Sequence, residues 1–114
     1  MGIILVKDLE AVKSWYVDIP NINFEIKDSY EEYRMSGKEI RLILNVVDDL
    51  DNACHALLDL GDIDYFQGEK LALLNAWIEK NYKSDNEDLN EILRKLKEYV
   101  EKAIELDTGV IIEL

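Results

Sequence analysis

Apolar and polar positions change period several times along the chain, and each change predicts an element. The longest regular stretch runs from Ser36 to Gly61. Ile40, Ile43, Leu44, Val47, Leu50, Cys54, Leu57 and Leu58 follow three- and four-residue steps there, and Leu42, Val46, Ala53 and Leu60 widen the apolar face. The spacing predicts one long helix. Ser36 and Glu39 stand at capping-box spacing before it, and Gly61 stands where a left-handed C-terminal residue is wanted. Leu71, Leu74, Trp77, Ile78 and Tyr82 predict a second helix. Ser84 and Glu87 repeat the capping-box spacing and open a third, with Leu89, Ile92, Leu93, Leu96, Tyr99, Val100, Ala103 and Ile104 as its stripe. On that helix Glu91–Lys95 and Glu98–Lys102 are four apart with the acid first, the favourable order.

The flanks read differently. Ile3 to Val6 is a continuous apolar run with β-branched residues, as a buried strand requires. Val110-Ile111-Ile112 is a second such run, able to pair with the first. Asp8 can cap a short helix carrying Leu9, Val12, Trp15 and Tyr16, which Pro20 ends. Ile22, Phe24 and Ile26 alternate with polar residues as a half-buried strand does, Asp28-Ser29 reads as a turn, and Tyr33 and Met35 alternate for a further short strand, although Tyr30 and Tyr33 fit a helical turn equally well. Gly61 to Gly68, rich in carboxylates, reads as a loop. The expected architecture is a single helix-rich α+β domain, residues 1–114. It has a three-helix bundle (about 37–60, 68–82 and 85–106), a shorter N-terminal helix and a small sheet from residues 3–6, 22–35 and 110–113. One proline, five glycines and no repeat offer no linker that would divide it.

Charge changes the picture from fold to partner. The formal charge is −12, from 25 acidic against 13 basic side chains. Direct binding to nucleic acid is therefore not expected, since phosphate contacts need clustered Lys and Arg. A basic protein partner is expected, because opposite fields speed encounter; the alternative role of the charge is solubility alone. The window Leu42–Glu69 holds seven acids, Asp48, Asp49, Asp51, Asp59, Asp62, Asp64 and Glu69, and no Lys or Arg. Cys54 is the only cysteine, so neither a disulfide within the chain nor a cysteine-based zinc site is available. A buried thiol suits a reducing cytoplasm. The Ile3–Val6 run is too short for a signal peptide, and no apolar run reaches membrane-spanning length.

Candidate chemistry concentrates in the same window. On a continuous helix Asp48, Asp51, His55 and Asp59 would share a polar stripe about 80° wide. Asp51 and His55, four apart, could share a metal ion, and oxygen-rich ligands would suit Mg²⁺ or Mn²⁺. A metal-dependent helical hydrolase is thus one alternative, needing further carboxylates such as Glu87 and Glu91; a solvated acidic face is the other. No serine lies in a nucleophile turn, Cys54 and His55 point about 100° apart, and no glycine-rich phosphate loop exists. Neither catalytic residue, cofactor nor metal is expected.

Size, acidity and the segment Asp62-Ile63-Asp64-Tyr65-Phe66, followed by a Trp77-bearing helix, resemble bacterial toxin-immunity proteins, locally the nuclease-colicin immunity family. Phe66 replaces that family's second tyrosine, Gln67 replaces the following proline, the interval to Trp77 is shorter and the last helix has no counterpart. The resemblance is therefore to the class. It implies a non-catalytic cytoplasmic protein that binds a cognate toxin, often a basic nuclease; carried over, Asp62, Tyr65 and Phe66 face the toxin. With the acidic window, the expected partner-binding set is Asp48, Asp51, His55, Asp59, Asp62, Asp64, Tyr65 and Phe66. A third reading makes the carboxylates a mimic of nucleic-acid phosphates.

Overall fold

A computed structural model describes all residues, Met1–Leu114. The two apolar end runs become strands β1 (Gly2–Val6) and β6 (Gly109–Glu113), paired antiparallel at the centre of a four-stranded sheet. β4 (Tyr30–Arg34) flanks β1, and β5 (Ile63–Gln67) flanks β6, giving the order β4-β1-β6-β5 with every neighbour antiparallel. β2 (Ser14–Tyr16) and β3 (Ile19–Asn21) form a separate hairpin. The helices are α1 (Gly37–Leu44), α2 (Val47–Cys54), α3 (Gly68–Asn81) and α4 (Glu87–Leu106). The fold is α+β and 49% helical.

Both faces of the central strands are apolar, so both need cover. On one face Ile3, Leu5, Val110, Ile112 and Phe66 join the helices in a core of 25 buried residues. α3 and α4 pack on the sheet, α2 packs on α3 and α1 on α4. On the other face Val6, Ile111, Tyr65 and Ile22 form a smaller cluster under Leu9, Val12, Ile19 and Tyr30. Gly109 is required at that second face: a Cβ there would stand 2.5 Å from the Phe66 carbonyl oxygen and 2.6 Å from the Tyr65 ring.

A three-helix bundle is not confirmed, and its first member is revised. The stretch 37–60 is two helices and a loop. Asn45, Val46 and Val47 are three weak helix formers in a row, and the chain kinks there, with Val46 at φ −118°, ψ 5°. α2 then stops at His55, which takes the left-handed conformation at φ 56° that was expected of Gly61; the N–H groups of His55 and Ala56 both donate to the Asp51 carbonyl. The N-terminal helix is also revised. Only Leu9–Ala11 makes a helical turn, capped by Asp8, and Trp15 and Tyr16 lie in β2. Ile22 to Ile26 forms no strand, whereas Gly61 to Gly68, expected as a loop, contains β5. The Ser36–Glu39 capping box forms as expected. The second box does not: Asn86 caps α4 by accepting from the Leu89 N–H, and Ser84 bonds Asn90 instead. On α4, Lys95 and Lys102 each pair three residues forward, with Glu98 and Glu105, not back to Glu91 and Glu98.

Gly109→Ala should therefore destabilise the protein by about 2 kcal/mol or more, since backbone and a packed ring must both move. Val17, at the hairpin turn with φ 58°, should behave oppositely. A β-branched side chain is strained there, so Val17→Asn should gain about 1 kcal/mol. Urea unfolding monitored by circular dichroism reads both; a neutral Gly109→Ala would contradict the close packing.

Candidate acidic interface

The loop between α2 and β5 is built by Asp51. Its backbone carbonyl ends the helix, and its side-chain Oδ1 accepts from the Leu58 N–H at 3.0 Å. Ala56 and Leu58 are thereby buried, while Leu57 between them is forced outward, 88% exposed. Asp59 continues the turn: its Oδ1 accepts from the Leu60 N–H at 2.7 Å, and its carbonyl from the Asp62 N–H at 3.0 Å. Leu60 is 66% exposed. The loop thus presents two leucines in a fixed, internally hydrogen-bonded frame.

Carboxylates gather around it. Burial raises the Asp51 carboxyl above the ordinary aspartate range, the Leu58 N–H opposes that, and the nearby charges of Asp48, Asp64 and Asp59 add to the rise. Those four acids therefore occupy one neighbourhood. Asp64 is half-buried at the sheet edge, accepting from the Tyr65 N–H at 2.8 Å and from Lys70 Nζ at 2.5 Å. It closes one open N–H of the edge strand. Asp49 accepts from Trp77 Nε1 at 2.8 Å and ties α2 to α3. No ion pair reaches Asp48, Asp49, Asp59, Asp62 or Glu69; within the window only Asp64 has one.

The expected partner-binding set divides accordingly. Asp48, His55, Asp59 and Asp62 are exposed. Asp51 and Asp64 are half-buried and act as acceptors that hold the loop and the edge. Tyr65 and Phe66 are corrected: both are buried. Strand alternation sends Phe66 into the helix-side core and Tyr65 into the opposite cluster, where Trp15 packs edge-on to it at 6.0 Å between centroids. The Tyr65 hydroxyl is buried without a partner, and burial pushes its pKa to about 12. Leu57 and Leu60, read from the helical period as core, are the residues that sequence reasoning missed. His55 lines a shallow groove with Gln67, Glu69, Lys70 and Leu73 beside buried Cys54, whose thiol burial pushes up to about 11. Because α2 ends before His55, the four-residue stripe is not assembled, and no three His, Cys, Asp or Glu side chains converge on a point where a metal ion could sit. No helix is long and apolar enough to cross a membrane. No family model, curated protein or solved structure matches the chain.

Asp51→Asn and Asp51→Ala should separate charge from hydrogen bond. The folded protein holds the Asp51 proton more tightly than the unfolded chain, so the stability it contributes is present at acid pH. That contribution is lost as pH rises through the raised value. Asn keeps an acceptor for Leu58 and is uncharged throughout, so Asp51→Asn should match or exceed the parent near pH 7 and converge with it in acid. Asp51→Ala strands the Leu58 N–H and should cost about 1–3 kcal/mol at every pH. Tyr65→Phe should be neutral or stabilising by up to about 1 kcal/mol, since it removes an unpaired hydroxyl. Thermal melts across pH 3–8 measure all three; an Asp51→Asn as damaging as Asp51→Ala at pH 7 would contradict the assignment.

Proposed function

We propose that this protein is a non-catalytic acidic binding module of the immunity type, which neutralises a basic toxin domain, most simply a nuclease, by direct contact. One observation carries the reading: Leu57 and Leu60 stand in solvent on the same short loop as exposed Asp59 and Asp62, neither of which is held in an ion pair. Apolar anchors inside a charged rim are the usual division of labour at a tight interface, the anchors setting dissociation and the rim setting encounter. A loop already held by Asp51 and Asp59 loses little conformational freedom on docking. The partner-binding set becomes Asp48, His55, Leu57, Asp59, Leu60 and Asp62. Asp51 and Asp64 position it. The protein would act in the cytoplasm, where Cys54 stays reduced.

The test uses the product of the reading frame beside its gene. Co-expression should yield a 1:1 complex whose association slows at least about tenfold between low and high salt. Asp48→Lys with Asp62→Lys, neither of which holds the loop, should slow association by a further factor of about ten, whereas Leu57→Ala should chiefly speed dissociation, by about tenfold or more. Salt-independent association, unchanged by the two reversals, defeats the assignment of this face. Displacement of the partner by bulk DNA would instead identify the surface as a mimic of nucleic-acid phosphates.

A further inference from the structure

A second exposed surface lies on the opposite face of the sheet, on the β2–β3 hairpin. Trp15, Tyr16 and Val17 are 46%, 78% and 85% exposed. Trp15 and Tyr16, with Ile19, Pro20 and Ile63, frame a shallow, largely apolar groove. Its charge differs from the rest of the molecule. Between Val12 and Ile22 the only charged side chains are Lys13 and Asp18, in a chain of net charge −12.

The backbone of β2 is also unfinished. β2 has one neighbour, β3. Trp15 stands opposite Pro20, which has no N–H to give. This is therefore the non-hydrogen-bonded pair of the ladder, with the N–H and carbonyl of Trp15 turned to the free edge. Val17 adds a third observation. Its left-handed backbone strains a β-branched residue, and its side chain buries nothing within the chain.

We propose that the hairpin is a self-association site, where β2 of one copy pairs antiparallel with β2 of a second copy across a two-fold axis. With Trp15 on the axis, the two Trp15 residues exchange both main-chain hydrogen bonds. Ser14 then faces Tyr16 of the second copy, and Lys13 falls opposite Val17 of the second copy, one residue from its Asp18, so the contact brings opposite rather than like charges near each other on either side of the axis. A two-fold contact sets each patch against its own likeness. The acidic loop could not meet itself in this way, whereas the hairpin can. The exposed rings of both copies supply on the order of 500 Å² of aromatic surface. Val17 and the new main-chain bonds add to that, but the total stays at or below the roughly 1,200 Å² low end of stable interfaces. The dimer is accordingly weak and concentration-dependent. Two copies of charge −12 repel, so salt strengthens it by screening. This is the reverse of the salt response proposed for a basic partner.

Sedimentation velocity on the whole chain, from about 5 to 500 µM at low and high NaCl, tests the proposal. The weight-average mass should climb from the 13.3 kDa of one chain towards twice that value, further at high salt. Tyr16→Lys should remain monomeric over the same range with an unchanged melting temperature, and Leu57→Lys should associate like the parent. If Tyr16→Lys fails to fold, Val17→Lys serves as the interface variant. A mass of one chain at every concentration overturns the proposal, as does association that survives the hairpin lysine. Binding to phosphatidylcholine vesicles without self-association overturns it too, and assigns the aromatic tip to a lipid surface.

Discussion

Everything in this fold hangs on the pairing of β1 with β6. Each strand is an almost uninterrupted apolar run, so the ladder between them is buried on both faces. Such a pair cannot stand at the surface of a helical bundle. It demands one cover for Ile3, Leu5, Val110 and Ile112 and a second for Val6 and Ile111. α3 and α4 supply the first with long amphipathic stripes. The second is improvised from short irregular pieces, the Leu9 turn, the Ile22 loop and the hairpin, which leave aromatic surface uncovered. Five of the exposed large apolar residues, Trp15, Tyr16, Val17, Phe24 and Ile26, lie in this improvised cover.

The acidic loop follows from the same demand. β5 must reach the free side of β6, so α2 has to end and the chain has to turn back towards the sheet. Asp51 makes that turn by offering its carbonyl and its carboxylate to successive N–H groups. A single residue thus sets where the helix stops, which leucines enter the core and which are displayed. The cost is electrostatic: a half-buried carboxylate held among Asp48, Asp59 and Asp64. Lys70 relieves it in part by pairing with Asp64.

Legibility in the sequence tracked how local each cause was. The end strands were plain, because β-branched apolar runs have few other uses. α3 and α4 were found to within about two residues, since stripe and polar interruption agree. The long helix misled because its period is real: Ile40, Ile43, Val47, Leu50 and Cys54 keep one face across the kink. Ala56, Leu57 and Leu58 are good helix formers, and only Asp51, acting seven residues ahead on Leu58, overrules them. β5 was hidden because its carboxylates and flanking glycines look like loop, while its strand character comes from β6. Leu9, Val12, Trp15 and Tyr16 fit a helical period, but the sheet needs a cover there, and only Leu9 joins a helical turn. For the site, the acidic window was legible, and four of its members, Asp48, Asp51, Asp59 and Asp64, lie near one another. The error lay in the anchors: Tyr65 and Phe66 went inward, and Leu57 and Leu60 came out.

The central ladder also has a consequence for time. β6 follows every other element, yet it sits between β1 and β5. During synthesis β1 has only β4 beside it and β5 has no strand beside it until β6 emerges. The sheet is therefore closed by its longest-range pairing, Gly2 against Glu113 and Ile3 against Ile112, and such contacts slow folding because the chain must be gathered before they reward it. The terminal ammonium of Met1 stands 3.3 Å from the Glu113 carboxylate. Joining the two ends by a short linker would turn the slowest contact of the molecule into a hairpin, its most local one.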